Sequence, residues 1–361
     1  ALTLKTLADG REQALALPEG GGFHTLRWSP SGRWLLLQRR TAAGTELWVS
    51  EVARPALRRL SGLCLNTVLE RDFAWLGPDE LLVTTVPETL GAPPAPALPL
   101  GPTVQESFGR KSPERTRQNL LTNAQDEALF THLATSQLRR VNLASGAHSP
   151  IGSPGLLSRV ETVGGGAALL VERLATPFSY QVEWDDFARL VQLLDASSGR
   201  VLRDLPGVRL KEGVPVQGVV TGARQFWSSP HGDGAVFWVE ALDGGDPRTR
   251  VPHRDRVLRL DPPYRGEPRE VHRSVHRLVA WNWLDARERA LVSEFDRDRV
   301  WVTSEIVALD GSAAPLRLQD RSRRDRYADP GTPLRRLLPA SGRSVVRVDE
   351  GALWLAGAGA S

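Results

Sequence analysis

Leu26-Arg27-Trp28-Ser29-Pro30-Ser31-Gly32-Arg33-Trp34-Leu35-Leu36-Leu37 decides the fold. A short apolar run ends in tryptophan, a Ser-Pro-Ser-Gly turn follows, and a second apolar run starts at once. Proline fixes one turn dihedral and glycine supplies another that side chains avoid, so the two runs read as the arms of a β-hairpin. The unit recurs as Phe73-Ala74-Trp75-Leu76-Gly77-Pro78-Asp79-Glu80-Leu81-Leu82-Val83. It recurs again as Phe226-Trp227-Ser228-Ser229-Pro230 before Ala235-Val236-Phe237-Trp238-Val239, and as Val279-Ala280-Trp281-Asn282-Trp283 before Ala290-Leu291-Val292.

The anchoring tryptophans at 28 and 75 are 47 residues apart, those at 227 and 281 are 54 apart, and the gap of 152 between 75 and 227 leaves room for two or three more units plus an insertion. Further strands follow at hairpin spacing: Glu46-Leu47-Trp48-Val49, Arg256-Val257-Leu258-Arg259-Leu260 and Val300-Trp301-Val302. Periods of roughly 40 to 50 residues, with polar turns between alternating strands, are those of a β-propeller with four-stranded blades. The expectation is therefore an all-β propeller over 1–361, incomplete in a late blade, of a parent with seven blades. Two stretches depart from the pattern. Residues 87–102 are rich in Pro, Ala and Gly and read as an extended loop. Residues 117–133 carry Leu120, Leu121, Ala124, Ala128, Leu129 and Leu133 near helical spacing and read as a helical insertion, a packed surface helix before a gate.

Composition narrows the functional classes. Apolar residues make up 41% of the 361, enough for a real core. Of the 46 basic residues only Lys5, Lys111 and Lys211 are lysines, leaving 43 arginines, and nearly every one has an acid within a few positions, as in Asp296-Arg297-Asp298-Arg299. Mixed charge of this kind describes a solvated surface, not a nucleic-acid footprint. The lone Cys64 excludes a disulfide framework and reads as a small buried hydrophobe. No run approaches the roughly 18 apolar residues of a membrane span, and Ala1–Gly10 lacks the parts of a signal peptide. A soluble protein is expected, bacterial and cytoplasmic, with a periplasmic or secreted location left open. The absence of methionine and the start at Ala1 point either to a fragment or to methionines, as selenomethionine, left out of the sequence.

Catalytic signatures are missing where they would be sought. An α/β-hydrolase nucleophile needs G-x-S-x-G on a strand-to-helix turn, and Gly152-Ser153-Pro154-Gly155 and Gly342-Arg343-Ser344 lack that spacing. His272 and His276 are four apart but lie in a strand and turn with no glutamate placed as base, so no metal is expected. Asp185 and Asp186 are adjacent and point apart unless the backbone bends. Gly20-Gly21-Gly22 and Gly164-Gly165-Gly166 read as turns, with no phosphate loop, and no cofactor is expected.

Longer strings are more specific than propeller filler. They are Ala128-Leu129-Phe130 through Thr135-Ser136-Gln137-Leu138, Leu170-Val171-Glu172-Arg173 leading to Pro177-Phe178-Ser179-Tyr180, Trp238-Val239-Glu240-Ala241-Leu242-Asp243-Gly244-Gly245-Asp246-Pro247, and Asp320-Arg321-Ser322 through Arg326-Tyr327-Ala328-Asp329-Pro330-Gly331. In this order they resemble the glutamyl endopeptidase branch of the prolyl oligopeptidase family of serine peptidases, from about Phe23 onward. The resemblance implies an N-terminal propeller that caps a C-terminal α/β-hydrolase domain and filters peptides by size; an acylaminoacyl-peptidase-like parent belongs to the same expectation. It stops near Gly357, so none of the family's catalytic residues falls on any position here. It also implies substrates cut after acidic residues, for which cavity-facing arginines would serve, and Arg115, Arg117 and Arg254 are the candidates. Ion pairing at the surface or between blades is the commoner role for such arginines.

The leading reading is thus a non-catalytic propeller whose partners are a hydrolase domain of the same parent and peptide substrates, with oligomerisation open. The alternative is a free-standing propeller that binds peptides or proteins. An apolar patch on one end would favour the first, and polar ends the second. A sugar-acting or redox propeller would need clustered carboxylates or metal ligands at blade starts, which the sequence lacks.

Overall fold

A computed structural model describes residues 2–69, 73–95, 120–339 and 341–357. Five four-stranded antiparallel sheets follow one another along the chain, each a simple meander. The first contains β3 (Phe23–Trp28), β4 (Trp34–Thr41), β5 (Gly44–Glu51) and β6 (Arg54–Arg59), and is preceded by a hairpin of β1 (Leu2–Lys5) and β2 (Glu12–Leu15). The second contains β7 (Ala74–Trp75), β8 (Glu80–Thr85), β9 (Gln137–Asn142) and β10 (His148–Pro150), with α1 (Ala124–Ala134) between its middle strands. The third contains β11 (Leu157–Val163), β12 (Ala168–Leu174), β13 (Arg189–Asp195) and β14 (Val201–Val208). The fourth contains β15 (Ala223–Ser228), β16 (Val236–Ala241), β17 (Asp255–Leu260) and β18 (Arg269–Ser274). The fifth contains β19 (Arg277–Trp283), β20 (Arg289–Asp296), β21 (Trp301–Ala308) and β22 (Leu316–Ser322). Six short strands close the chain: β23 (Thr332–Pro333), β24 (Arg335–Leu338), β25 (Arg343–Val346), β26 (Val348–Asp349), β27 (Ala352–Leu353) and β28 (Leu355–Ala356). They pair as β23 with β28, β24 with β25, and β26 with β27.

The core lies between sheets, as blades require. Leu36, Leu47 and Val49 of the first sheet pack on Leu81, Val83 and Val141 of the second, and Leu82 and Leu138 of the second on Leu157, Leu169 and Val171 of the third. Leu170, Val191 and Leu193 of the third meet Phe226, Val236 and Trp238 of the fourth. Phe237, Val239 and Val257 of the fourth meet Trp283, Ala290 and Val292 of the fifth. Each such fully buried side chain contributes roughly 1.5–3 kcal/mol, so the second strands, apolar on both faces, drive the stacking. The two outermost faces are covered as well. Leu2, Leu4 and Leu15 of the leading hairpin lie on Leu35 and Leu37, while Val346, Val348 and Leu353 lie on Leu284 and Leu291.

Register corrects the tryptophan repeat. The closing pairs of the five first hairpins are Trp28 with Leu35, Trp75 with Leu81, Val163 with Ala168, Ser228 with Val236 and Trp283 with Ala290. Trp227 and Trp281 therefore stand one and two residues before the equivalent position, and the third sheet has valine there. The 152-residue gap holds one sheet, not two or three, because the excursion between β8 and β9 takes up much of it.

The helix begins at Ala124, later than the expected 117–133. Asn123 is its N-cap and accepts from the Asp126 amide at 2.9 Å, and Asp126 ties back to the Thr122 amide at 2.9 Å. Residues 120–123 are not helical, and 117–119 lie outside the described residues. Of the expected loop 87–102, residues 87–95 hold turns and no strand, and the remainder lies outside the described residues. Cys64 is half-buried rather than buried, with its sulfur packed over Gly44. Among the described residues no helix is long and apolar enough to cross a membrane.

Candidate functional site: a cationic, aromatic cavity between first strands

First strands approach one another in sequence, β7 beside β11 and β11 beside β15. The turn joining β24 to β25 enters among them. A methyl group on Gly342 would strike Pro30 and Trp75 of the first two sheets. The neighbouring Arg343 donates to the Ser228 carbonyl at 2.8 Å and its hydroxyl at 2.7 Å, and pairs with Glu161 at 2.9 Å. One hairpin tip thus touches four of the five sheets, and β25 itself runs beside β19 of the fifth.

Beside this tip is a cavity of about 360 Å³. Its apolar wall is Phe226, Trp227, Leu278, Trp281 and Trp283, and its cationic wall is Arg159, Arg335 and Arg343. Tryptophans 227 and 281 lie 5.5 Å apart between ring centres, and 281 and 283 lie 5.7 Å apart edge to face. β-Bulges in the first strands shape the wall. In β15 the register shifts between Arg224 and Trp227, with Gln225 at φ 52°, and in β19 it shifts between Leu278 and Ala280. A bulge inserts an unpaired residue and re-aims its neighbours, and here it turns residues 225–227 and 279–281 toward the cavity.

The charges are arranged unevenly. Glu161, with 13% of its side chain exposed, sits between Arg159 at 2.5 Å and Arg343 at 2.9 Å, and accepts from the Ser228 amide at 2.8 Å and hydroxyl at 2.6 Å. Burial alone would raise its pKa, but Arg343, Arg159 and the Ser228 bonds outweigh it and hold the carboxyl below the usual glutamate value. Burial pushes the Arg343 guanidinium down, partly offset by Glu161. Glu172 bridges Arg159 at 3.4 Å and Arg189 at 3.2 Å. Arg335 differs from these. Among the described residues its donors meet only neutral acceptors, Asn282 Oδ1 at 2.8 Å, Ser344 Oγ at 3.0 Å and the Ser344 carbonyl at 2.8 Å.

Of the arginines singled out from sequence, Arg115 and Arg117 lie outside the described residues. Arg254 is half-buried and pairs with Asp243 at 2.8 Å. Asp243 also accepts from Arg277, which in turn holds Asp255 at 2.5 Å, and Asp255 pairs with Arg224 at 2.9 Å. Both aspartates are fully buried, and the group links the fourth sheet to the fifth. Arg254 is thus placed in an ion network between blades and is not among the residues lining the cavity. Asp185 and Asp186 lie in a 3-10 turn, where Asp186 binds Lys211 at 2.8 Å. His272 and His276 each sit 3.8 Å from a carboxylate, Glu294 and Asp296. Among the described residues no group of three or more His, Cys, Asp or Glu could hold a metal, and no serine hydroxyl is hydrogen-bonded to a histidine ring.

A second hollow, of about 320 Å³, lies between α1 and residues 182–187, lined by Leu121, Phe130, Trp184 and Phe187. The two ends of the sheet stack also differ. Connections between second and third strands, and from each sheet to the next, fall at one end. That end exposes Val68, Val86, Leu129, Leu133, Tyr180, Val216 and Val275. The opposite end, built on Asx turns such as those of Asp195, Asp233 and Asp310, exposes fewer large apolar side chains among the described hairpin ends: Trp28, Val201 and Leu316.

The class these features define is an all-β protein of propeller-like four-stranded blades with one helical insertion. No protein-family model matches the chain. By sequence it is similar to the probable chloroplastic glutamyl endopeptidase of rice (Oryza sativa subsp. japonica), 32% identical over 339 residues that cover 88% of this chain and 35% of that protein. It is similar also to the probable chloroplastic glutamyl endopeptidase of Arabidopsis thaliana, 30% identical over 374 residues that cover 97% of this chain and 38% of that protein. The chain thus spans little more than a third of the length of the curated relatives it matches. Likeness to solved structures is looser. Porphyromonas gingivalis dipeptidyl peptidase 4 aligns at TM-score 0.49 and 12% identity, covering 84% of this chain and 40% of that one. The β-propeller domain of the Trilobed protease from Pyrococcus furiosus aligns at 0.42 and 9%, covering 82% and 71%.

Proposed function

We propose that this chain is the non-catalytic propeller of a serine peptidase of the glutamyl endopeptidase kind, and that it controls the access of peptides to a hydrolase domain outside the chain. The observation that carries the reading is the difference between the two ends. A free-standing scaffold has no need of seven exposed apolar side chains in the connections of one end against three, Trp28, Val201 and Leu316, at the hairpin ends of the other, whereas a domain that caps another needs one end stickier than the other. The long likeness to two probable glutamyl endopeptidases, each more than twice the length of this chain, supports the same partner. No described group offers a nucleophile with its base, so the chemistry belongs to that partner. The propeller contributes by exclusion, because a stack of rigid blades passes short or unfolded peptides and stops folded domains.

The test uses the full-length protein that carries this chain. A glutamate-containing peptide is offered free and, as the same sequence, within a loop of a folded carrier. Cleavage of the free peptide with sparing of the carrier is expected. Equal rates on both would refute gating, and failure to cleave either would favour the free-standing propeller.

A further inference from the structure

We propose that the cavity between β11, β15, β19 and the β24–β25 hairpin binds a carboxylate joined to an apolar body, such as the C-terminal carboxylate of a peptide whose last residue is apolar. The site belongs to this chain alone and does not depend on the peptidase reading.

The argument begins with Arg335. Nε donates to Ser344 Oγ, Nη1 to Asn282 Oδ1 and Nη2 to the Ser344 carbonyl. These bonds fix the plane of the guanidinium yet use only one N–H of each terminal nitrogen, leaving one free on each. No carboxylate among the described residues is within ion-pair distance of it. The other two arginines of the cavity already engage the carboxylates near them: Arg159 and Arg343 share Glu161, and Glu172, the second partner of Arg159, is also held by Arg189. An oriented guanidinium with two spare donors and no counter-ion is arranged for a planar two-oxygen acceptor, and a carboxylate matches it.

The rest of the cavity selects the body of the ligand. Trp227 and Trp281, backed by the more deeply buried Phe226, Leu278 and Trp283, form the apolar wall beside the guanidinium, and the space of about 360 Å³ is within the size range of small-ligand sites. A bare inorganic anion would leave that wall exposed. A neutral apolar molecule would leave Arg335 without its counter-charge. Only a ligand with both parts uses both walls.

The test is calorimetric titration of the chain with N-acetylphenylalanine, its neutral amide and inorganic phosphate. Saturable binding of the acid is expected, with the amide and phosphate each weaker on the order of tenfold or more. Arg335→Gln removes the fork at an exposed position and should weaken the acid on the order of 10- to 100-fold without moving the unfolding midpoint. Arg335→Lys keeps the charge, loses the fork and should fall between. Equal binding of acid and amide, equal binding of acid and phosphate, no binding of the acid, or an Arg335→Gln variant that binds as wild type would each overturn the proposal. Peptidase gating is scored separately on the full-length protein, so either result can fail without the other.

Discussion

Replacing Glu161 by glutamine tests whether the centre is held together as its charges suggest. The amide keeps an acceptor for Ser228 but removes the negative charge between Arg159 and Arg343. Removing one member of a buried ion pair costs about 3–5 kcal/mol. Arg159 has 40% of its side chain exposed and can be hydrated, which brings the expected loss down to or below the bottom of that range, roughly 2–3 kcal/mol. With a urea slope of about 3 kcal/mol/M, the upper part of the usual range, the midpoint should fall by roughly 0.7–1 M. Acidity gives a second readout. The folded carboxyl titrates below the ordinary glutamate value of 4.5, so on acidification the unfolded chain takes up the proton first. The stabilisation is complete above that value and is lost as pH falls through the lower, folded one. The gap between wild type and E161Q should therefore be widest near neutrality and close below pH 4.5. Midpoints that coincide at neutral pH, or a gap that widens in acid, would refute the reasoning.

Three further outcomes follow from other parts of the molecule. Gly245→Ala should destabilise by at least about 2 kcal/mol in thermal unfolding, because φ is +79° there and a Cβ would lie 2.0 Å from the Val219 carbonyl oxygen. Asn123→Ala removes the cap of α1 and should cost about 1 kcal/mol, seen as faster amide exchange in Ala124–Ala134 with the sheets unchanged. Paired aspartates at Leu133 and Val216, 45% and 63% exposed, should change the stability of this chain by less than about 0.5 kcal/mol each. In the full-length protein the same pair should loosen the contact between propeller and hydrolase, read as faster proteolysis of the junction.

The blade pattern was legible wherever its chemistry is local. A Ser-Pro or Gly-Pro turn after an aromatic residue marks the first hairpins at Trp28, Trp75 and Trp227, since turn geometry and strand burial are properties of neighbouring residues. The third sheet escaped the count because Val163 closes its hairpin and Gly164-Gly165-Gly166 makes its turn, so neither tryptophan nor proline flags it. Register within the fourth and fifth sheets was hidden for a related reason: bulges shift Trp227 and Trp281 away from the closing position, and a bulge leaves no mark in composition. The cavity is the least legible part. Arg254 reads from sequence as a candidate for a substrate carboxylate, with ion pairing as the commoner role, but its partner Asp243, eleven residues earlier, is identified only by the fold. Arg335 drew no notice in Arg335-Arg336-Leu337-Leu338, because Asn282, which orients it, lies 53 residues earlier on another sheet. Only the assembled centre brings such residues together.

The most direct test of the central claim is fluorophosphonate labelling of the purified 39.6 kDa chain beside the full-length protein that contains it. The proposal that the nucleophile and its base lie outside this chain predicts no label on the chain and one label on the longer protein. Stoichiometric labelling of the 39.6 kDa chain itself would contradict the account.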